Sequence, residues 1–473
     1  MDNERPILTS ISEAGDTRRE AEAGPQFEQA LKVLAGGTAS AYKLVRSHRG
    51  ARGRASACYA AVPSLSNPRV LLPLNASPRA WRVALEPHAK GSASRSIRAL
   101  VRILQVASSL GLGPVLLSRR VALVTTGPQT RPPLHDFLAE VLGRDDFVTS
   151  LRIAPGRPNG KPVVQAVAPE GKVLAYAKFG WDDLTGRLMR HEAAVLEDLA
   201  ALTPGAGFHV PPVLHSGRWS GLEALVLAPL GGMGWTPRGR SDVPVAASIA
   251  LTGIRPRTWS RLGESPFWHR LVADVEIAAP LLGTDAGRSL LAGRQAIEDR
   301  WGDTCLPFGL SHGDWIPPNM SVRPDGSFNL WDWERSEPDV PLGTDALQFI
   351  LFVELRGRTI DDGLADRIER HGRRALLRHG LDPTLTRLLA SLSLMRSLLW
   401  FGEARHAGRG EVEDNRFHRA LDVLLRADRR HSAPVPAGAL TWRLWPAAGS
   451  GRLFAKGAGA APGQDDLVLR SDR

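Results

Sequence analysis

Leu310-Ser-His-Gly-Asp-Trp-Ile-Pro-Pro-Asn-Met-Ser-Val-Arg-Pro-Asp-Gly-Ser-Phe-Asn-Leu-Trp-Asp-Trp-Glu334 is the stretch that decides the fold. It sets one acid, Asp314, in a tight turn and an amide, Asn319, shortly after it. A Pro324-Asp325-Gly326 turn comes next, and then a second acid, Asp332, on the returning strand. Phosphoryl transfer asks a protein mainly to place a hydroxyl in line and to neutralise charge with magnesium. Magnesium takes a few hard oxygen ligands and leaves its other positions to water and phosphate. A carboxylate and a side-chain carbonyl are both hard donors, so Asp332 and Asn319 are the candidate metal ligands. Asp314 is left to accept or orient the proton of the attacking hydroxyl. The turn signal and the apolar run after it predict a strand over Phe328–Trp333. Alternation along that strand puts Phe328, Leu330 and Asp332 on one face and Trp331 and Trp333 on the other, with both indoles packed behind the acid.

Protein kinases place an Asn at the same offset from their catalytic-loop Asp, with a metal-binding Asp downstream. Here Gly313 stands where they carry Arg, and no Asp-Phe-Gly occurs. His-Gly-Asp, then Asn, then a hydrophobic-Asp-Trp-Glu strand resembles the aminoglycoside phosphotransferase and choline kinase family. That resemblance implies an α+β, two-lobed protein-kinase-like fold, with a small antiparallel-sheet N-lobe and a mainly helical C-lobe. It also implies ATP and magnesium as cofactors. The family acts on choline, sugars, aminoglycosides and other alcohols, so the acceptor stays open among small molecules.

The other side of the expected cleft is read from Val173–Phe179, a strand candidate in which alternation groups Lys178 with Leu174 and Tyr176. An amphipathic helix over Thr185–Leu199 comes after it, with Leu188, Val195, Leu196 and Leu199 on its apolar side. A strand Lys paired with a helix Glu is how kinases hold the α- and β-phosphates. Lys178 and Glu192 are the pair, with Glu197 in reserve. The run Arg190-His-Glu-Ala-Ala-Val-Leu196, then Val210-Pro-Pro-Val-Leu214, carries the resemblance to this side as well. By that resemblance, backbone groups near Leu227 to Leu230 meet adenine, and the Asp of Pro341-Leu-Gly-Thr-Asp345 steadies the catalytic loop. Asp345 is read as structural or as a helix N-terminal charge, not as a metal ligand. His312 shapes the loop and is not the base. The missing Arg and the short interval from Asp332 to Asp345 remove the usual activation segment, which favours small metabolites over protein substrates.

A length of 473 residues allows two or three domains. The expected division is a disordered basic segment (1–50), a small α+β appendage (51–130), the N-lobe (131–232), the helical C-lobe (233–432) and a disordered tail (433–473). Within the appendage, Tyr59–Val62, Val70–Leu74, Trp81–Leu85 and Arg120–Thr125 are strand candidates and Ser96–Leu110 a helix. Gly156 and Gly160 lie where a phosphate-covering loop belongs. Helices are expected at Leu134–Leu142, Trp268–Leu282, Ala286–Trp301, Leu347–Arg356, Leu364–His379, Thr384–Phe401 and about Asn415–Ala427. Gly402–Asp414 reads as a polar loop in which Glu411, Glu413 and Asp414 hint at an acidic acceptor pocket.

Two cysteines, Cys58 and Cys305, exclude a disulfide scaffold and a Cys-rich metal site, and point to the cytoplasm. No apolar run reaches a membrane span; Leu388–Phe401 is short and carries Arg396. The formal charge of +11 speaks to solubility and nonspecific binding. Its densest cluster, Lys43, Arg46, His48, Arg49, Arg52 and Arg54, has no interleaved aromatic for base stacking. It reads as a flexible solvated segment, and nucleic acid is disfavoured as a partner. The alternative to an ATP-dependent phosphotransferase is a non-catalytic kinase-like nucleotide-binding module. A metal hydrolase built on His312 and Asp314 lacks paired ligand spacing.

Overall fold

A computed structural model describes residues 33–34, 36, 42–46, 55–62, 68–90, 95–109, 120–125, 131–153, 160–202, 206–232, 234–237, 243–356, 358–408 and 415–430. The chain divides into two units, Met1–Met189 with Leu214–Pro229, and Arg190–Val213 with Leu230–Arg473. The first unit runs β1 (Tyr42–Arg46), β2 (Ala55–Val62), β3 (Val70–Pro73), α1 (Pro78–Lys90), α2 (Arg95–Ser109), β4 (Arg120–Thr125), α3 (Pro133–Leu142), β5 (Val148–Arg152), β6 (Val163–Val167) and β7 (Val173–Gly180). Helix α4 (Asp183–Leu202) begins in the first unit and ends in the second. After β8 (Phe208–His209), β9 (Val213–Trp219) and β10 (Leu222–Leu227) return to the first. The second unit continues with α5 (Val243–Leu251), β11 (Thr258–Arg261), α6 (Pro266–Ala278), α7 (Thr284–Trp301), β12 (Cys305–Ser311), β13 (Met320–Val322), β14 (Phe328–Leu330), β15 (Glu337–Pro341), α8 (Thr344–Leu355), α9 (Leu364–Arg378), α10 (Thr386–His406) and α11 (Asn415–Arg430). This is the α+β class expected, one sheet unit and one mainly helical unit.

The first unit is one nine-stranded sheet in the order β1-β4-β2-β3-β5-β6-β7-β10-β9. The expected appendage is therefore not a separate domain. Its strand β3 pairs antiparallel with β5, Val70 against Arg152 and Leu71 against Leu151. Alternation then builds two cores. Tyr59, Ala61 and Leu71 share one with Leu134 and Leu138 of α3 and with Val164, Ala177 and Phe179. Ala60, Val62, Val70 and Leu72 share the other with Trp81 and Leu85 of α1 and Val101 and Leu104 of α2. Each fully buried large apolar side chain contributes roughly 1.5–3 kcal/mol.

Three expectations are corrected here. Trp81–Leu85 is not a strand but the middle of α1. Trp81, Ala84 and Leu85 are buried at helical spacing, Ser77 Oγ accepts from Ala80 N at 3.1 Å, and Pro78 opens the first turn. Lys43 and Arg46 do not lie in a flexible segment but on β1, paired with β4. Gly402 to His406 complete α10 rather than forming a loop. The expectations for residues 1–25, His48, Arg49, Arg52, Arg54, Gly156, Glu411, Glu413, Asp414 and the tail from His431 lie outside the described residues.

In the second unit, α8 and α10 are buried on nearly every side, as helices apolar all round must be. The same unit holds the short sheets β11-β12-β15 and β13-β14-β8, on whose loops the polar residues sit. No helix among the described residues is long and apolar enough to cross a membrane.

Candidate active site

Strand β12 ends at Ser311, and the next three residues turn back under tight restraint. Gly313 takes φ +81, and a Cβ there would lie 1.9 Å from the Arg335 carbonyl oxygen, so only glycine fits. Asp345, at the first turn of α8, holds the turn from below. Its Oδ1 accepts from Ser311 Oγ at 2.8 Å and Gly313 N at 3.2 Å, and its Oδ2 accepts from His312 N at 2.8 Å. Asp345 thus steadies the loop, as the resemblance implied.

His312 is fixed at both ring nitrogens. Asp314 N donates to its Nδ1 at 3.3 Å, and Nε2 lies 3.2 Å from the Trp331 carbonyl oxygen. A nitrogen that accepts from a backbone N–H carries no proton, so the proton sits on Nε2 and is given to Trp331. The ring packs 4.5 Å from Trp333. Both nitrogens are occupied in shaping the loop.

The Pro317–Asn319 turn brings Asn319 back onto Asp314. Asn319 Nδ2 donates to Asp314 Oδ2 at 2.7 Å and to the Asp314 carbonyl at 3.1 Å. Both partners are acceptors only, which sets the amide orientation and leaves Asn319 Oδ1 as the atom for a cation.

Asp332 does not continue the strand. Strand β14 stops at Leu330, and Asp332 has φ +73, a left-handed conformation rare for a residue with a Cβ. Alternation fails beyond Leu330. Trp333 is buried, whereas Trp331 is partly exposed and donates from Nε1 to the Pro318 carbonyl at 3.0 Å. Only one of the two indoles is therefore packed behind the acid. The turned backbone groups Asp332 with Glu334 and with Glu192 of α4, ligand oxygens all within 4.8 Å of one another. Glu192 is fully buried and accepts from Trp333 N at 3.4 Å, whereas Glu197 is exposed. Carboxylate oxygens gathered this closely are donors of the hard kind magnesium takes. Glu334 was missed from sequence; the only signal was an acid two places beyond Asp332.

In the first unit, Lys178 lies on β7 between Val163 of β6 and Leu225 of β10. The partial exposure of Leu174, Tyr176 and Lys178 against buried Ala175 and Ala177 bears out the expected alternation. Burial, aided by the charge of Glu86, raises the Tyr176 pKa. Leu227 ends β10 in the first unit and Leu230 opens the second, so the expected adenine-contacting pair falls on either side of the division, as Lys178 and Glu192 do.

Strand lysine, helix glutamate, three strands, a Gly-rich connector, helices, His-Gly-Asp loop, hairpin and second acid succeed one another in that order. The chain has a protein-kinase-like fold. No protein-family model matches it, and no curated protein matches it. Solved structures similar to this kinase-like chain include choline kinase LicA from Streptococcus pneumoniae, at 13% identity, covering 62% of this chain and 98% of that one, with a TM-score of 0.42. The gentamicin-APH(2")-IIa complex is similar at 12% identity, covering 62% and 95%, with a TM-score of 0.40. A thermostable variant of aminoglycoside phosphotransferase APH(4)-Ia, in ternary complex with ADP and hygromycin B, stands at 15% identity, 62% and 98% coverage, and 0.40.

Proposed function

We propose that the protein transfers the γ-phosphoryl group of ATP to a hydroxyl of a small molecule. The observation that carries this reading is the Asn319 amide turned onto the Asp314 carboxylate at 2.7 Å, which leaves Asn319 Oδ1 for a cation. In the step envisaged, the acceptor oxygen bonds to the γ-phosphorus as the bond to the β-phosphate oxygen breaks. The acceptor proton passes to Asp314, and ADP leaves. Asn319 and Asp332, with Glu192 and Glu334 close to Asp332, would hold magnesium, which supplies charge neutralisation at the phosphates when bound. Lys178 is assigned the α- and β-phosphates, and the backbone near Leu227 and Leu230 the adenine.

The short path of the chain beyond Asp332 favours a small acceptor. Arg335 passes directly over Gly313, and the chain enters β15, which pairs with β12 at Ser311 against Glu337. Such a segment leaves no long loop to dock a protein substrate. The test is titration calorimetry with ATP, with and without magnesium, and then ADP release with a panel of alcohols. Magnesium-dependent binding and release with at least one alcohol are expected; no binding of Mg-ATP would overturn the reading.

A further inference from the structure

We infer that Gln348 is a positioning residue for the Asp314 carboxylate, an inference that rests on the phosphotransferase reading above. Its side-chain amide spans the peptide groups on both sides of Asp314. Gln348 Nε2 donates to the Gly313 carbonyl at 3.0 Å, and Gln348 Oε1 accepts from Trp315 N at 2.7 Å. One amide thereby takes up the acceptor just before Asp314 and the donor just after it, as an adjoining β-strand would.

The two groups held this way are buried, and so is Gln348. Each would be left unsatisfied if the amide were lost, so the turn cannot keep its shape without it. Two other side chains touch these peptide groups, each on one flank only: His312 Nδ1 accepts from Asp314 N at 3.3 Å, and Asn319 Nδ2 donates to the Asp314 carbonyl at 3.1 Å. Asp345 binds Ser311, His312 and Gly313, ahead of the acid. Asn319 binds the Asp314 carboxylate itself. Trp315 is anchored through its indole, whose Nε1 donates to the Pro244 carbonyl at 3.0 Å. Gln348 is the side chain that grips the backbone on both flanks of Asp314, and it sits one helical turn beyond Asp345 on α8. The direction in which Asp314 presents its carboxylate depends on backbone torsions that Gln348 restrains from both sides.

Gln348→Met keeps the length and loses both hydrogen bonds; Gln348→Glu keeps an acceptor for Trp315 N and loses the donor to Gly313. With the best alcohol of the panel, Gln348→Met should lower kcat by about tenfold to a hundredfold, the cost expected of a misplaced catalytic group. KM for Mg-ATP should stay within about twofold of wild type, because the nucleotide ligands are untouched. Gln348→Glu should fall between the two. Amide hydrogen exchange of the peptide covering residues 312–316 should speed up by about tenfold in Gln348→Met, with α8 and α10 as protected as in wild type. A kcat within twofold of wild type, or unchanged exchange at 312–316, overturns the inference. So does loss of protection spread through α8 and α10, if Gln348→Glu then retains full kcat. Wild-type protein that releases no ADP with any alcohol overturns the phosphotransferase reading, an outcome separate from a variant as active as wild type.

Discussion

Asp345 Oδ2 accepts the backbone N–H of His312 at 2.8 Å, so a carboxylate at the start of α8 holds the turn that carries Asp314. The same side chain takes Ser311 Oγ and Gly313 N on its other oxygen. Asp345→Ala strands two buried donors, Ser311 Oγ and His312 N, and leaves Gly313 N with Ser311 Oγ alone at 3.1 Å; it should destabilise the protein by roughly 2–5 kcal/mol. Asp345→Asn keeps an acceptor oxygen and should cost less. Urea unfolding of the two variants against wild type checks the order.

Gly313→Ala meets two penalties together. A left-handed backbone costs a residue with a Cβ roughly 1–3 kcal/mol, and the new methyl would collide with the Arg335 carbonyl. Lower stability and loss of turnover are expected. Gly231→Ala, where a Cβ meets nothing within 4 Å, should stay within about 0.5 kcal/mol of wild type. Equal unfolding midpoints for the two variants would contradict the close approach.

Asp314→Ala should abolish ADP release and spare nucleotide binding, while Asp332→Asn should weaken magnesium-dependent ATP binding itself. Calorimetry separates them: affinity near wild type in the first variant, and at least about tenfold weaker in the second. Turnover retained by Asp314→Ala would remove it from the role of base.

Glu337 supplies a pH signature. Burial opposes its ionisation, but Arg396, at 2.7 Å, and Arg270, at 3.4 Å, outweigh that and hold its pKa below the usual value. A depressed carboxyl stabilises the fold fully above its unfolded pKa of about 4.3, and that contribution is lost as pH falls through the lower folded value. Arg396→Met removes the main partner. The variant should be less stable than wild type at pH 7, and the gap should narrow below about pH 4. Chemical denaturation at pH 7, 5 and 3.5 measures it; a gap that widens towards acid would refute the pairing.

The loop from His312 to Asn319 was legible because its contacts are local. Asp314 and Asn319 are close in sequence, and a turn is enough to join them. Asp332 was legible as a residue but not in its geometry, since period-2 alternation cannot anticipate the point at which a strand gives way to a left-handed turn. Trp81 to Leu85 was misread because five apolar-rich residues suit a strand or one face of a helix; Ser77 and Pro78, a helix start, were the arbiters. Gln348 and Glu192 owe their places to packing between elements far apart in sequence. A glutamine on an apolar helix carries no mark of the two peptide groups it will meet.

The pairing of β3 with β5 bears on how the chain can be trimmed. A chain begun at Arg131 would bare the edge of β5 that pairs with β3 at Leu151 and Arg152, a template for a second molecule to bind. It would also strip Trp81 and Leu85 from their side of the sheet. Such a fragment is expected to self-associate, so β3, α1 and α2 act as a built-in guard on the sheet that carries Lys178.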